Sequence, residues 1–568
     1  MRRPAKFTNV NNRCTMCMLL VMHTTMSCGS RPSGRIDRAG HDLTDVATGR
    51  LSAGFPALNT STDAAPENRK IGRFVIATMN AHLAQQLIGA NQQFDLRIGD
   101  QFETGRGELI PVTNPATGEV LAEIRAADTD QVRRAVVAAR STVEQDTLGT
   151  PAERSACLQR LADVIEEHTD EILNTVIAET GTPISTARGM HVGTPVRYLR
   201  WLAQATLADR TEYLGREPGP PVNEAMVVYR PIGVVAGIAA YNYPLMFAAM
   251  KVGAAFAAGC PSVLLSSPHS PLTLLNFGNW VDEAGFPKDA VSVLAGGVEV
   301  AQALIDCPDV AKVTFTGSVP AGTAVMKRAA EGLRGVVLEL GGKSAAILLP
   351  SSDPKAVVGS VHSRYLRNAG QGCGSPTRIL VHRSHLDEFL AASREYYDNV
   401  GVGDPFDPDT IVGPVISEPH RDRVQSFVNA ALAAGGEILA QGTLPDTDRG
   451  WWVRPTLIGG LNNDAEINQE EIFGPVATVL VYDNVDEAVA IANKSKFGLH
   501  ASIFGPHDEA MALVHRLEVG LVTFNGGAPV RSDAPNGGWK ESGIGRERGE
   551  AGIREFLEPV TVQWPVTD

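Results

Sequence analysis

One cysteine stands among small residues, in the segment Asn368-Ala-Gly-Gln-Gly-Cys373-Gly374. Small neighbours leave a sulfur approachable, which favours a reactive thiol over the buried structural cysteine that is the commoner fate of this residue. A cysteine nucleophile needs a base, and the sequence offers the imidazole of His362 and the carboxylate of Glu339. Sequence spacing alone does not choose between these two bases.

A second candidate site is the segment Phe315-Thr-Gly-Ser-Val-Pro-Ala-Gly322, which ends a predicted strand and opens a predicted helix. The free N–H groups of such a helix start attract phosphate, so Gly317 and Ser318 are candidate cofactor contacts. The glycine spacing imitates a P-loop, but Thr323-Ala324 stands where the motif needs Lys followed by Ser or Thr. This departure argues against triphosphate hydrolysis.

These residues lie in a chain that alternates short apolar runs with helical stretches. Such alternation predicts a mostly parallel sheet with helices on both faces and ligands at the carboxyl ends of the strands. Ahead of it, Asp128 and Gln131 predict a capping box for a helix over 129–143. The predicted strands are Val234–Ala239, Ser262–Leu265, Val291–Leu294, Lys312–Phe315 and Val336–Leu340, with helices over 245–258, 272–284, 298–305 and 319–331 between them.

The predicted organisation has four parts, which follow from these patterns and from the resemblance described below. Residues 1–90 form a disordered or mis-assigned leader, with Met79 just before regular sequence. A cofactor-binding domain takes 91–208 and 232–341, and a catalytic domain takes 342–545. Residues 209–231 and 546–568 form a bridging or oligomerisation element, in which the alternation of Pro559–Trp564 predicts a strand that pairs with another sheet.

Composition excludes several classes of function. The formal charge of -14 opposes general binding to nucleic acid or anionic lipid. The apolar run Met16–Met22 is too short to span a bilayer. Seven cysteines are few for 568 residues, which favours a reducing, cytoplasmic compartment. Cys14, Cys17 and Cys28 lack the second pair or His cluster of a zinc site, so we expect no metal.

Six motifs in order show that the chain resembles the aldehyde dehydrogenase superfamily over about residues 91–566. Six ordered motifs at compatible spacing are far more specific than any one of them. They are Tyr241-Asn-Tyr-Pro244, Phe315-Thr-Gly-Ser318, Leu338-Glu-Leu-Gly-Gly-Lys343, Gly370-Gln-Gly-Cys373, Glu470-Glu-Ile-Phe-Gly-Pro475 and Gly537-Gly-Trp-Lys-Glu-Ser-Gly543.

The resemblance implies an α/β fold with a Rossmann-like cofactor domain, an α/β catalytic domain and a small β oligomerisation element. It also implies NAD(P)-dependent oxidation of an aldehyde to the acid. Cys373 attacks the carbonyl, with the oxyanion held by the Asn242 amide and the Cys373 backbone N–H. Hydride leaves for the cofactor, and Glu339 activates the water that hydrolyses the thioester.

For the cofactor, the resemblance implies contacts from Lys251, Gly317, Ser318, Glu471 and Phe473. The family's ribose-gripping Lys and Glu are replaced in Leu265-Ser-Ser-Pro268-His269, so the expected cofactor is NAD, with NADP possible. Tyr241 replaces the usual Trp and Asn536 replaces a common tunnel aromatic, which indicates a more polar substrate pocket than simple aldehyde oxidisers have.

Two other functions stay open at this point. A CoA-acylating semialdehyde dehydrogenase passes its thioester to CoA, but members of that type typically lack the deacylating carboxylate that Glu339 matches. The other alternative is a binding or structural protein with this fold but without catalytic activity. Such a protein would not need Cys373, Glu339 and Asn242 together, so their joint presence counts against it. The partners expected from the resemblance are a small-molecule aldehyde and further copies of the chain, in a homodimer or homotetramer.

Overall fold

The computed structural model describes residues 94–219, 221–527 and 531–566. The predicted leader, Cys14, Cys17 and Cys28 lie outside these residues. Four cysteines lie within them, and all four are free thiols. No helix within the described ranges is long and apolar enough to cross a membrane.

The first sheet has eight strands in the order β2-β1-β9-β8-β7-β10-β11-β21. Its centre, from β9 to β11, is parallel, as the alternation of apolar runs and helices predicts. All five residues of β7, β8 and β9 are buried, because helices cover both faces. The strands are β1 Leu96–Ile98, β2 Gln101–Glu103, β7 Val234–Ile238, β8 Ser262–Ser266, β9 Val291–Ala295, β10 Val310–Thr316, β11 Gly335–Glu339 and β21 Gly543–Ile544.

The helices around this sheet begin where the sequence predicts them. Asp128 and Gln131 form the predicted capping box, and Ser318 caps the helix that follows β10. Two π-helical turns, Arg188–Gly193 and Ala249–Gly253, interrupt longer helices. The α-helices are Thr129–Glu144, Pro151–Glu167, Thr169–Thr180, Ile184–Ala187, Thr194–Ala205, Pro244–Ala248, Ala254–Ala258, Leu272–Glu283, Val298–Asp306 and Val319–Glu331.

A second sheet has seven strands in the order β14-β15-β16-β13-β12-β18-β19, all parallel except at β14. Its strands are β12 Ala345–Leu348, β13 Arg378–His382, β14 Glu437–Gln441, β15 Thr456–Gly459, β16 Val476–Tyr482, β18 His500–Phe504 and β19 Leu521–Phe524. The later α-helices are Pro354–Leu366, Leu386–Asn399, Glu418–Ala433, Glu466–Gln469, Val485–Asn493, His507–Leu513 and Gly549–Arg554, with 3-10 turns at Arg383–His385 and Val514–Arg516.

Three smaller sheets complete the fold. The first joins β5 Glu212–Glu217, β6 Asn223–Pro231 and the terminal strand β22 Leu557–Pro565, so the alternating tail pairs with another sheet, as predicted. The others are the pairs β3 Leu109–Thr113 with β4 Val120–Arg125, and β17 Phe497–Gly498 with β20 Trp539–Lys540.

The strand β21, near the end of the chain, pairs with the first sheet, although it belongs to the predicted catalytic domain, 342–545. Gly543 pairs antiparallel with Glu339, the last residue of β11. A Cβ atom at Gly543 would lie 2.0 Å from the Leu338 carbonyl oxygen, at φ +150. Only glycine permits so close an approach, and it brings the Gly-rich segment beside Glu339.

The chain makes a left-handed turn immediately before Cys373. Asn368, Ala369 and Gly370 have φ values of 54, 53 and 76. Such backbone costs about 1–3 kcal/mol for a residue other than glycine and persists only where the surroundings impose it. A Cβ atom at Gly370 would lie 2.0 Å from the Gly474 carbonyl oxygen. The turn therefore needs glycine at 370 for both conformation and space.

We predict that Gly370→Ala destabilises the protein by about 3 kcal/mol or more, because backbone must move to admit the methyl group. Gly435→Ala is the matched control, since Gly435 also has a positive φ, +92, with no atom within 4 Å of its added Cβ. It should cost only about 1–2 kcal/mol. Denaturant unfolding measures both, and equal losses would contradict the role of the contact with Gly474.

Candidate active site

Cys373 lies in the loop between the left-handed turn and β13, where it is partly exposed to solvent. Its backbone carbonyl lies 2.3 Å from the position of a Cβ atom on Gly342. The loop therefore packs directly on the glycine pair that follows Glu339 and Leu340. Glycine at 342 is needed because any side chain would push the cysteine loop away.

Three amide side chains fix this loop. Asn242 donates from its side-chain nitrogen to the Gln371 carbonyl at 2.9 Å. Asn368 donates to the Asn242 carbonyl at 3.2 Å and accepts from the Thr182 hydroxyl at 2.6 Å. Gln371 in turn accepts from the Tyr241 hydroxyl at 3.1 Å. Because the amide of Asn242 has two N–H groups, one remains to donate to a substrate oxygen near Cys373.

Glu339 ends β11 with its side chain almost fully buried, at 4% exposure. Asn536 donates to one carboxylate oxygen at 3.3 Å, and the other oxygen has no partner in the described chain. Burial raises the pKa of Glu339 to about 8, and the nearby charge of Glu547 acts in the same direction. Lys251 opposes this shift. The carboxyl is thus poised to exchange a proton near neutral pH.

Lys251 lies in the π-helical turn Ala249–Gly253 and is completely buried. Its ammonium bonds the Thr314 hydroxyl at 3.1 Å and forms an ion pair with Glu547 at 3.1 Å. Burying an ammonium is tolerated only with such partners. Lys251 therefore forms an ion pair with Glu547, and its charge also lowers the pKa of Glu339. The contact of Lys251 with the cofactor, which the resemblance implies, stays a prediction.

The sulfur of Cys373 is surrounded by groups that disfavour its charge. Burial raises the pKa of the Cys373 thiol to about 12, and the carboxylates of Glu339 and Glu471 act in the same direction. The resting group is therefore a thiol at neutral pH. Nucleophilic attack requires the proton to leave as the bond to carbon forms.

The carboxyl edge of the first sheet offers a binding surface for a dinucleotide. Ser318 caps the helix Val319–Glu331 by accepting from the Ala321 N–H at 3.4 Å, which leaves other N–H groups of the first turn free. The hydroxyls of Ser266 and Thr316, at the ends of β8 and β10, are buried without a partner in the described chain. Two buried hydroxyls without a hydrogen-bond partner could bond to a polar ligand placed along this edge of the sheet.

Glu471 lies within electrostatic reach of Cys373, and Phe473 follows it in the same segment. The Glu471 carboxylate accepts from the Gly342 N–H at 3.0 Å, and burial raises its pKa to about 7. Phe473 has a left-handed backbone, φ 60, and its ring meets Tyr241 edge-on. Arg423 donates to the Glu471 carbonyl at 2.7 Å and His420 bonds the Phe473 carbonyl at 2.7 Å. The segment is therefore held rigidly against the site.

The structure excludes His362 as the base for Cys373. His362 is fully buried, with its two ring nitrogens bonded at 2.9 Å to Tyr365 and Ser393. Burial lowers its pKa to about 3. The ring packs on Phe389, in the core beneath the second sheet. It is a core histidine with satisfied hydrogen bonds.

Leu265 does not face an open cofactor groove, because its side chain is 1% exposed and belongs to the core of the first sheet. A lysine at 265 would place an ammonium in that core. The polar groups available at this strand end are Ser266, which is buried, and His269, which is exposed. Within the described residues no cluster of side chains could hold a metal ion.

Three residues of the site were not predicted from the sequence: Glu547, Asn368 and Gln371. Asn368 and Gln371 stand inside the cysteine motif, where their side chains could have been expected to fix a strained turn. Glu547 follows the Gly-rich segment in Gly545-Arg-Glu547, and no local pattern distinguishes it from a surface carboxylate. Its burial at 5% and its pairing with Lys251 depend on the return of β21.

The fold is that of an oxidoreductase, and it brings the Cys373 thiol close to the buried carboxyl of Glu339. Residues 102–562 match the model of the aldehyde dehydrogenase family. The chain belongs to that family, and the prediction of an aldehyde dehydrogenase is confirmed.

Relatives and solved structures agree with this assignment. A putative aldehyde dehydrogenase of Staphylococcus aureus is 35% identical over 464 residues, covering 81% of this chain and 96% of that one. The NAD+ complex of Staphylococcus aureus betaine aldehyde dehydrogenase has a TM-score of 0.81 at 31% identity, covering 85% and 97%. The NAD+ complex of a Bacillus cereus aldehyde dehydrogenase has 0.80 at 31%, covering 84% and 97%.

We predict that Glu339→Gln lowers the pKa of Cys373, because it removes a negative charge beside the sulfur. At about pH 9, above the pKa of Glu339, alkylation of Cys373 by iodoacetamide should accelerate up to about ten-fold. Peptide mass spectrometry gives the rate, with the exposed Glu388→Gln as control. An unchanged or slower rate would show that the Glu339 charge does not act on Cys373.

Proposed function

We propose that Cys373, Glu339 and Asn242 together carry out NAD+-dependent oxidation of an aldehyde to a carboxylic acid. The observation that carries this proposal is the placement of a buried carboxyl of raised pKa, Glu339, within electrostatic reach of the Cys373 sulfur. The amide of Asn242, bonded to Gln371, supplies a donor on the same loop. Nucleophile, base and oxyanion donor are the minimum set for acyl chemistry.

In the first half-reaction the Cys373 sulfur bonds the aldehyde carbon while the thiol proton passes to the Glu339 carboxylate, which releases it to solvent before the second half-reaction. The carbonyl oxygen becomes an oxyanion, which the free N–H of Asn242 and the backbone N–H of Cys373 stabilise. Bound NAD+ supplies the acceptor for the hydride that leaves this carbon. A thioester on Cys373 remains.

In the second half-reaction Glu339 takes a proton from water as the water oxygen bonds the thioester carbon. The carbon–sulfur bond breaks, the thiol regains a proton and the acid leaves. The raised pKa of Glu339 suits this role, since a base near neutrality both accepts and returns the proton. The ion pair of Glu547 with Lys251 acts on that pKa in both directions, since Glu547 raises it and Lys251 lowers it.

For the cofactor, we propose NAD+ along the carboxyl edge of the first sheet. Ser318 and the following helix start would hold the pyrophosphate, Gly317 would allow it to approach the backbone closely, and Glu471 with Phe473 would border the nicotinamide end. The Gly317 N–H is committed to the Glu339 carbonyl at 3.0 Å, so the phosphate donors come from the helix beyond Ser318. Use of NADP remains part of this proposal, because Pro268 carries no carboxylate to repel a 2′-phosphate.

Cys373→Ala should abolish both dehydrogenase and esterase activity while leaving the thermal unfolding midpoint within about 2 °C of the parent's. Both reactions begin with the same sulfur. Reduced-cofactor absorbance and hydrolysis of an aryl ester measure the two activities. Ala at Cys307, another partly exposed thiol, is the control and should retain both. Turnover in the Cys373 variant would end the assignment of the nucleophile.

Glu339→Gln should allow acylation but slow hydrolysis, by about 100-fold or more. Rapid mixing should then show one equivalent of reduced cofactor followed by slow turnover, with the acyl-enzyme visible by intact mass. In the parent, hydrolysis should rise with pH through about 8, since the carboxylate form is the base, and this rise should vanish in the variant. Rapid turnover on added CoA, with none in water, would favour a CoA-acylating enzyme.

We also propose that the chain forms a homodimer or homotetramer in the cytoplasm. The four free cysteines support a reducing compartment. The edge strand β5 exposes Tyr213 and Leu214 at 77% and 61%, which supports assembly through the small sheet. Leu214→Asp should lower the mass measured by sedimentation, whereas the more exposed Leu333→Asp should not. Unchanged assembly in Leu214→Asp would place the interface elsewhere.

A further inference from the structure

The histidine His191 is completely buried, and its ring has no hydrogen-bond partner within residues 94–219, 221–527 and 531–566. Both ring nitrogens are shielded from solvent. A neutral imidazole has one N–H donor and one acceptor nitrogen, and leaving both unbonded in a protein interior is unfavourable. The proposed acid–base chemistry does not use this ring, so its burial requires an explanation.

Burial alone does not account for the unbonded ring of His191, because the other buried histidines are satisfied. Three histidines in the described part of the chain are buried. The other two, His362 and His500, each make two ring hydrogen bonds at 2.9 Å. His191 therefore differs from the histidines that serve the core of the same protein.

His191 lies in the π-helical turn Arg188–Gly193, and its ring packs on Tyr243. The two ring centroids are 5.3 Å apart, with the planes tilted by 39°. Tyr243 directly follows Asn242, the proposed oxyanion donor. Short π-helical insertions are frequent at functional sites. The imidazole therefore contacts the residue next to the oxyanion donor.

Tyr243 also connects His191 with the nucleophile. Its hydroxyl is 3.8 Å from the position of a Cβ atom on Gly372, the residue before Cys373. The same hydroxyl lies within electrostatic reach of the Cys373 sulfur. A substrate chain that extends from Cys373 along the Tyr243 ring therefore arrives at the imidazole.

The helix that continues from this π-helical turn borders the other half of the site. It spans Thr194–Ala205 and carries Tyr198, which lies within electrostatic reach of Glu547. The charge of Glu547 acts in turn on Glu339. One continuous helical segment thus runs beside the site, with His191 near the cysteine loop and Tyr198 near the acid–base residues.

The surroundings of His191 determine which kind of group it can bind. Burial lowers the pKa of His191 to about 3 and is the whole cause of the shift, so no charged side chain acts on the ring. The imidazole is therefore neutral at physiological pH. A neutral ring does not offset the desolvation of a carboxylate or an ammonium, but it can both donate to and accept from a hydroxyl. The ligand group is therefore uncharged.

We propose that His191 binds a hydroxyl group of the substrate, so that the enzyme prefers hydroxyaldehydes to alkanals. The hydroxyl donates to the acceptor nitrogen of the ring or accepts from its N–H. A shift of the Tyr243 ring, which packs on the imidazole, admits the hydroxyl. His191 determines specificity and touches no reacting atom. This inference rests on the proposed aldehyde oxidation and names the substrate class of that site.

The first measurement compares kcat/KM for hexanal with that for its 2-, 3- and 6-hydroxy derivatives. The parent enzyme should prefer the best hydroxyhexanal by about five-fold or more, since an apolar chain leaves the imidazole unbonded. The 4- and 5-hydroxy isomers close to cyclic hemiacetals and do not report on the free aldehyde. The preference should not change with salt, because no charge is involved. A parent that prefers hexanal would overturn the proposal.

His191→Leu should lower kcat/KM for the preferred hydroxyhexanal by about ten-fold while changing that for hexanal by less than about three-fold. The loss should appear mainly in KM, as expected for a contact remote from the reacting atoms. His191→Gln keeps a donor and an acceptor, so it should retain most of the preference. Equal losses for both aldehydes in His191→Leu would contradict the role in specificity.

Thermal stability separates a binding role of His191 from a structural one. His191→Leu should raise the unfolding midpoint of the free protein by about 1 °C or more, because two unbonded buried nitrogens are removed. His362→Leu is the matched control, since His362 is equally buried but has both nitrogens bonded, and it should lower the midpoint by about 2 °C or more. A fall in His191→Leu as large as in the control would show a structural role and overturn the proposal.

Binding provides a readout that does not need turnover. In the Cys373→Ala protein, calorimetry should show the hydroxyhexanoate product binding about five-fold or more tightly than hexanoate, and adding His191→Leu should abolish this difference. Equal binding of the two products would overturn the proposal. A parent that oxidises no aldehyde contradicts the proposed function instead, and the comparison of the two products then still decides the role of His191.

Discussion

The side chain of Asn368 is the contact on which the arrangement of the site depends. It accepts from Thr182, donates to the Asn242 carbonyl and bonds the Gln371 carbonyl at 3.3 Å. These bonds join a loop of the first α/β layer to the left-handed turn before Cys373. The turn is unfavourable by itself, so it persists because buried polar groups are satisfied only in this conformation. The loop of Cys373 and the backbone of Asn242 are thereby held by one amide.

A second constraint is the low polarity of the surroundings. Desolvation by the surrounding protein raises the pKa of Glu339, Glu471 and Cys373, although Glu471 and Cys373 are partly exposed. The same burial would be unfavourable in a protein that required stability alone. Here it raises the pKa of Glu339 to about 8 and that of Cys373 to about 12, so the thiol is protonated at neutral pH. The charge of Lys251 limits how far the pKa of Glu339 rises, whereas the charge of Glu547 raises it further.

The sequence by itself determined the alternation of strands and helices, the capping box at Asp128 and the phosphate-facing helix start at Ser318, since these depend on neighbours within a few residues. It also marked Cys373 and Glu339 as candidates. Only the tertiary structure decided between Glu339 and His362, because both follow apolar runs and differ in what packs around them. It likewise placed Asn536 on Glu339, 197 residues away, and Glu547 on Lys251. Such contacts follow from strand order and from the return of β21, which local periodicity does not contain.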